Sequence, residues 1–302
     1  MLAEAGRQVM RIEVFGRDLG FIEGPVYGGD GRVLLVSINR GCVYALDPGG
    51  HITATFMTGG GPNGLALSGE GLYVAQNGGI FGASGTATPG VQRITGGEVS
   101  YLTTELCEAP NDLCFGPDGL LYVSDPTTDR ALTEAVEGRV LVCDPRSGRT
   151  EVVIQHRYFP NGLAFDASGR FFYLAQTYPR TVERFSWTAG RLESDGTFCH
   201  LANGRPDGLA LDTQGNLWVC TPGTGGIEVF SQDGTPITRI ELGRGKMTTN
   251  CCFGGSEGQD LFVTAAGTGE LLRLRTDATG LALFPFRGSS DGPVNTDERM
   301  PP

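Results

Sequence analysis

One phrase recurs along this 302-residue chain: PNGLAL at Pro62–Leu67, PNDLCF at Pro110–Phe115, PNGLAF at Pro160–Phe165 and PDGLAL at Pro206–Leu211. Its prolines stand 48, 50 and 46 residues apart. Degenerate copies extend the series at both ends, EGPVY at Glu23–Tyr27 and TNCCF at Thr249–Phe253, which makes six. A repeat of this period is a supersecondary unit that cannot bury its faces alone and must stack on its neighbours.

Every copy continues alike. A Gly-containing turn leads into a second apolar run: VLLVSI (Val33–Ile38), LYVAQ (Leu72–Gln76), LYVSD (Leu121–Asp125), FYLAQ (Phe172–Gln176), LWVCT (Leu217–Thr221) and LFVTA (Leu261–Ala265). A third, more alternating run and a fourth, more polar one follow. The runs lack a helical period, and 48 Gly with 17 Pro punctuate them as turns. Four short strands per repeat are a propeller blade. The expected fold is all-β, a six-bladed β-propeller with four antiparallel strands per blade. Residues 1–302 are read as a single domain, in which Gln8–Phe15 closes the last blade and 287–302 form a disordered tail.

The net charge is −11. Nucleic acid and an anionic membrane both call for a basic face, so neither is expected as a partner. No stretch approaches the length of an apolar membrane span. The first residues, MLAEAGRQVMRIEVFG, lack the apolar core of a signal peptide. The eight cysteines form no C-x-x-C pair and most sit in apolar runs. They read as buried free thiols of a reducing compartment, so the expected location is cytoplasmic. A zinc cluster lacks its spacing.

In a propeller the first strand of each blade lies nearest the axis. The polar residue after each phrase proline then points at a common place: Asn63, Asn111, Asn161 and Asp207, with Glu23 and Asn250 in the degenerate copies. Any one Asn-Gly is an ordinary turn. A convergent set of two carboxylates and four carboxamides is a hard oxygen site, and its carboxylates repel unless a divalent cation lies between them. The ends of the second runs, Gln76, Asp125, Gln176 and Thr221, are expected to form an outer ring, with Asp125 and Gln176 as substrate contacts. His51, His156 and His200 fall outside the phrases, which disfavours a His-based triad. There is no G-x-S-x-G elbow, and the Gly-rich stretches are not followed by a helix. Gly78–Gly85 is expected to be a mobile loop over the channel mouth, and Phe81, Tyr158, Phe159 and Tyr178 make that mouth apolar.

The segments EGPVY, APNDLCFGPDGLLYVSDP, FPNGLAFDASGRFFYLAQT and RPDGLALDTQGNLWV resemble the family of senescence marker protein (regucalcin), gluconolactonase and luciferin-regenerating enzyme, over all six repeats. The resemblance implies one catalytic divalent metal in the channel, with ligands matching Glu23, Asn161 and Asp207, and Asn111 as a further metal or substrate contact. Ca2+ is the first choice, with Mg2+, Mn2+, Zn2+ or Fe2+ as alternatives. It also implies hydrolysis of a small-molecule lactone, by a monomer or small homo-oligomer. In that reading Asp207, with Asp125 as the alternative, is the general base, and Asn63 and Asn111 hold the substrate and the developing oxyanion. In regucalcin an Arg two positions before the Asn of the third phrase holds the sugar; here it is Ala109, which widens the expectation to less polar lactones. Three alternatives are an organophosphate or ester hydrolase of the diisopropyl fluorophosphatase type, a condensing propeller resembling strictosidine synthase, and a metal- or ligand-binding propeller without turnover.

Overall fold

Strand character follows the repeat. The computed structural model describes residues 11–284, which form six four-stranded antiparallel sheets arranged as a six-bladed propeller. The first five blades run inside to outside in chain order: β2–β5 (Ile22–Met57), β6–β9 (Pro62–Thr103), β10–β13 (Leu113–Tyr158), β14–β17 (Pro160–His200) and β18–β21 (Leu209–Glu241). The sixth takes β22 (Thr248–Gly254), β23 (Asp260–Ala265) and β24 (Glu270–Arg275) from the end of the chain and β1 (Ile12–Gly16) from its start. Ile12 stands opposite Leu274 and Val14 opposite Leu272, so the two ends of the described chain share one sheet. Residues 8–10 of the expected closing segment and the expected tail at 287–302 lie outside the described residues. Among those described there is no α-helix, only two short 3-10 turns, and no helix is long and apolar enough to cross a membrane.

Burial explains the composition of each run. The second strands are almost wholly buried, β3 (VLLVS) and β11 (LYVSD) at every residue, because neighbouring blades cover both faces. The outermost strands are largely exposed or half-buried and carry the polar run, and β21 (PITRIE) has no buried residue. Six apolar clusters fill the structure, one at each junction between neighbouring blades. The cluster that closes the ring joins Phe262 and Leu271 of the sixth blade to Leu35 and Tyr44 of the first. Since each face depends on the next, the ring must close to satisfy all six.

The cysteines are free thiols, six buried and two, Cys107 and Cys114, half-buried. Burial pushes the Cys107 and Cys199 thiols up to about 12 and that of Cys143 to about 11, which keeps them protonated and unreactive.

Candidate functional site

The phrase reaches the axis through a local irregularity. In β6, β14 and β2 the pairing slips between Pro62 and Leu65, Pro160 and Leu163, and Glu23 and Val26. A bulge at the polar-Gly step turns one side chain off the sheet face. In the third and fifth blades the phrase precedes the strand but is held alike: Asn111 N–H donates to Ser124 O (2.8 Å) and Asp207 N–H to Cys220 O (3.0 Å). The phrase glycines let the blades approach. A Cβ on Gly162 would meet Asp207 O at 2.3 Å, and one on Gly208 would meet Asn250 Cγ at 2.1 Å.

Glu23, Asn63, Asn111, Asn161 and Asp207 thereby line one cavity of about 850 Å3 at one end of the axis. A chain of amides orients the first side: Asn77 Nδ2 donates to Asn63 Oδ1 (3.4 Å) and Asn63 Nδ2 to Asn111 Oδ1 (3.2 Å). On the other side Asn161 Nδ2 donates to Thr177 Oγ1 (3.0 Å), which donates to Pro206 O (2.8 Å) beside Asp207. The sixth member of the expected ring behaves differently. Asn250 lines the cavity at the opposite end, where its Nδ2 donates to Asp112 Oδ2 (3.3 Å).

Asp112 is the residue sequence reasoning passed over. It takes the third place of its phrase, where Gly24, Gly64, Gly162 and Gly208 stand in four other copies. That replacement of Gly by a carboxylate was the available signal. Asp112 adds a third carboxyl to Glu23 and Asp207. Burial pushes Asp112 up to about 6, against the hydrogen bonds from Leu113 N–H and Asn250. Burial also holds Glu23 and Asp207 well above the usual carboxylate range, and the negative charge of Asp112 raises both further. None of the three forms an ion pair among the described residues. Three carboxyls with no cationic partner are what a bound cation would relieve. Among the described residues no three His, Cys, Asp or Glu side chains close around one point by themselves. A cation here would need amide oxygens as well, and an all-oxygen set of carboxylates and carboxamides fits a hard divalent ion.

The outer ring is not where the sequence reading put it. Neither Asp125 nor Gln176 lines the cavity. Asp125 is fully buried and accepts from Ala109 N–H (2.6 Å), Glu108 N–H (3.1 Å) and the Arg139 guanidinium. Gln176 donates to Glu183 Oε2 (2.7 Å), and Gln76 accepts from Gly61 N–H (2.7 Å). Thr221 donates to Gly226 O (2.9 Å). Asp125, Gln76 and Thr221 brace backbone, and Gln176 braces the Glu183 side chain. The next residues along, Asn77 and Thr177, are the ones that touch the ring, because successive strand side chains face opposite ways.

Ala109 is wholly buried and does not reach the cavity. Of the Gly78–Gly85 loop, Ile80 and Phe81 form part of the cavity wall, and Phe159 joins them, whereas Tyr158 and Tyr178 do not. The three histidines are exposed, away from the site.

Residues 21–267 match the model of the SMP-30/Gluconolactonase/LRE-like region. The chain is 29% identical to a gluconolactonase of Zymomonas mobilis, over 89% of this chain and 82% of that one. It is 28% identical to the pentonolactonase XacC of Haloferax volcanii, over 58% of this chain and 65% of that one. The solved structure of XC5397, a gluconolactonase of Xanthomonas campestris, superposes with a TM-score of 0.73 at 23% identity, covering 88% of this chain and 89% of that one, and speaks for the fold.

Proposed function

Because the chain belongs to the SMP-30/gluconolactonase/LRE-like family, we propose that it opens a lactone ring by hydrolysis in the cavity of Glu23, Asn161 and Asp207, with one divalent cation. The observation that carries this reading is the convergence of those three side chains with Asn63 and Asn111 on one cavity, beside carboxyls that no cationic side chain among the described residues neutralises. The gluconolactonase and pentonolactonase relatives support the reaction class.

Glu23, Asn161, Asp207 and Asn111 would hold the ion, with Ca2+ first among the candidates. A hard divalent cation, when bound, supplies Lewis-acid polarisation of the lactone carbonyl. Asp207, ionised and in a setting that raises its proton affinity, takes the proton of the attacking water. Thr177 fixes Asn161 and the backbone before Asp207 in one arrangement, so this base does not wander. Asn63 and Asn111, oriented by Asn77, donate to the carbonyl oxygen as its negative charge grows. The acyl C–O bond of the ring breaks, the ring oxygen leaves as a hydroxyl by taking the proton that Asp207 accepted, and the product is a hydroxy acid.

The direct test is turnover of gluconolactone, xylonolactone and apolar γ- and δ-lactones, each with Ca2+, Mg2+, Mn2+ or Zn2+ and after chelation. Ring opening that disappears on chelation and returns with one ion is expected. Activity on no lactone with any ion would leave a binding propeller, and activity on an organophosphate alone would move the reaction class.

A further inference from the structure

The wall above the polar ring has a charge of its own. Arg130, Arg180 and Arg205 line the cavity, with Asp129 the one acidic side chain at that level. Their neighbours are apolar: Phe21, Ile80, Phe81, Leu132 and Phe159, with the rings of Phe81 and Phe159 6.0 Å apart. In a chain of net charge −11 a mouth lined by three guanidinium groups is set apart from the rest of the molecule.

The three cations are not equivalent. Arg130 is exposed and lies 3.9 Å from Glu134. Arg205 is half-buried and positioned from two directions: its guanidinium lies over the Tyr178 ring at 5.3 Å, and Nη1 donates to Leu132 O (3.0 Å). That leaves its other N–H donors without a protein acceptor among the described residues. Arg180 follows Tyr178 by two residues, so it stands on the loop against which Arg205 is stacked. Its backbone is left-handed (φ 62°), and among the described residues its guanidinium makes no hydrogen bond or ion pair. Arg205, held in place, and Arg180, with an unpaired guanidinium among the described residues, line the same cavity from adjoining loops, where both can donate to one oxyanion.

We infer that the preferred substrate is a lactone with an apolar body and an anionic group away from the ring, and that Arg180 and Arg205 hold this group at the mouth. The inference rests on the lactone reading of the same cavity and deepens it. Phe21, Ile80, Phe81, Leu132 and Phe159 offer apolar contact to the body of such a substrate, and Ala109 is buried out of reach. Carboxylate and phosphonate share the chemistry the two guanidiniums recognise.

Binding separates this inference from turnover. Calorimetric titrations would use γ-lactams carrying carboxyalkyl chains of increasing length, each against its uncharged alkyl counterpart, with a phosphonoalkyl arm and with and without Ca2+. At one chain length the anionic lactam should bind about tenfold tighter than its neutral partner, the scale of a partly exposed charge-assisted pair. Arg180→Gln should remove most of that preference and Arg180→Glu reverse it, and raised salt should weaken it. Arg180 is exposed, and both variants keep a non-Gly residue at the same backbone angle, so folding is not at issue. The arm that binds tighter identifies the anion. Equal affinity of charged and neutral lactams, no binding by any charged member, or a preference that survives Arg180→Gln and Arg205→Gln would overturn the inference. A preference that holds while no lactone is opened keeps the subsite and removes the ring-opening reading instead.

Discussion

The two ends of the propeller axis are made from the same phrase, yet they differ in kind. At one end the second residue of each phrase, Asn63, Asn111, Asn161 or Asp207, contributes to a cavity of about 850 Å3. At the other the fourth residue, Leu65, Leu113, Leu163 or Leu209, lines a smaller cavity of about 380 Å3. Leu281, Leu283 and Phe284 line that end too. A single repeated motif therefore builds a polar end and an apolar one, because residues two apart in the phrase serve opposite ends of the axis. Asp112 and Asn250 are the polar intruders at the apolar end, and they are the point at which the two ends communicate.

Asp207→Asn gives the sharpest break between the ends. It keeps size and turn chemistry and removes the charge, so kcat on a good lactone should fall at least ~100-fold at saturating metal. Asn63→Asp, on the same ring, should be far milder. Near-normal turnover by Asp207→Asn would reduce Asp207 to a turn residue.

Cation removal is next in size. A ligand held only by the folded state adds about 2.7 kcal/mol at a hundredfold excess over its Kd, so melting after verified metal loss should fall accordingly. The loss should grow with pH. In the unfolded chain the carboxyls of Glu23, Asp112 and Asp207 ionise near pH ~4. In the folded, cation-free protein burial keeps them protonated further, Asp112 to about 6 and the other two well above the usual range. The folded state then binds more protons, so cation-free stability falls as pH rises from ~4 through the folded values. A cation-free melting curve that rises over that window would contradict the arrangement.

Leu163→Ala tests the apolar end. Leu163 is buried but borders a cavity, so the cost should be near the lower limit for such truncations, about 2 kcal/mol of stability. With metal saturating, kcat/KM should stay within about twofold. A large activity loss would mean that the ends are not separable.

The smallest effect belongs to the link between them. Asp112→Asn removes one of three neighbouring carboxyls and should raise cation-free stability at pH 8, where the buried Asp112 is ionised, while weakening cation binding. Calorimetric titration of Ca2+ into both proteins checks the second half. Unchanged affinity would make Asp112 a bystander.

Blade number, strand order and the ring positions were legible because they are periodic. The spacing of Pro62, Pro110, Pro160 and Pro206, and the apolar run after each, follow from local chain chemistry repeated six times. Glu23, Asn63, Asn111, Asn161 and Asp207 do reach one cavity. Gln176 and Thr177 differ by the one residue that a period-two strand makes costly, since successive side chains face opposite ways, whereas Asp125 is taken up by Ala109 N–H, Glu108 N–H and Arg139. Asp112 was missed for the opposite reason: it breaks the repeat, and a search for regularity looks past the exception.

What the sequence determined by itself is the repeat and therefore the ring, because strand periodicity and turn chemistry act over a few residues. What only the tertiary structure decided is the company each side chain keeps. Asn250 faces Asp112, 138 positions away in the chain, and Arg205 meets Leu132 across the mouth. Those partners come from blades that meet only when the ring closes, and the burial that shifts the Asp112, Glu23 and Asp207 carboxyls exists only once all six blades surround the axis. Local propensity carries no information about either, because contact and desolvation depend on segments brought together by packing rather than by order along the chain.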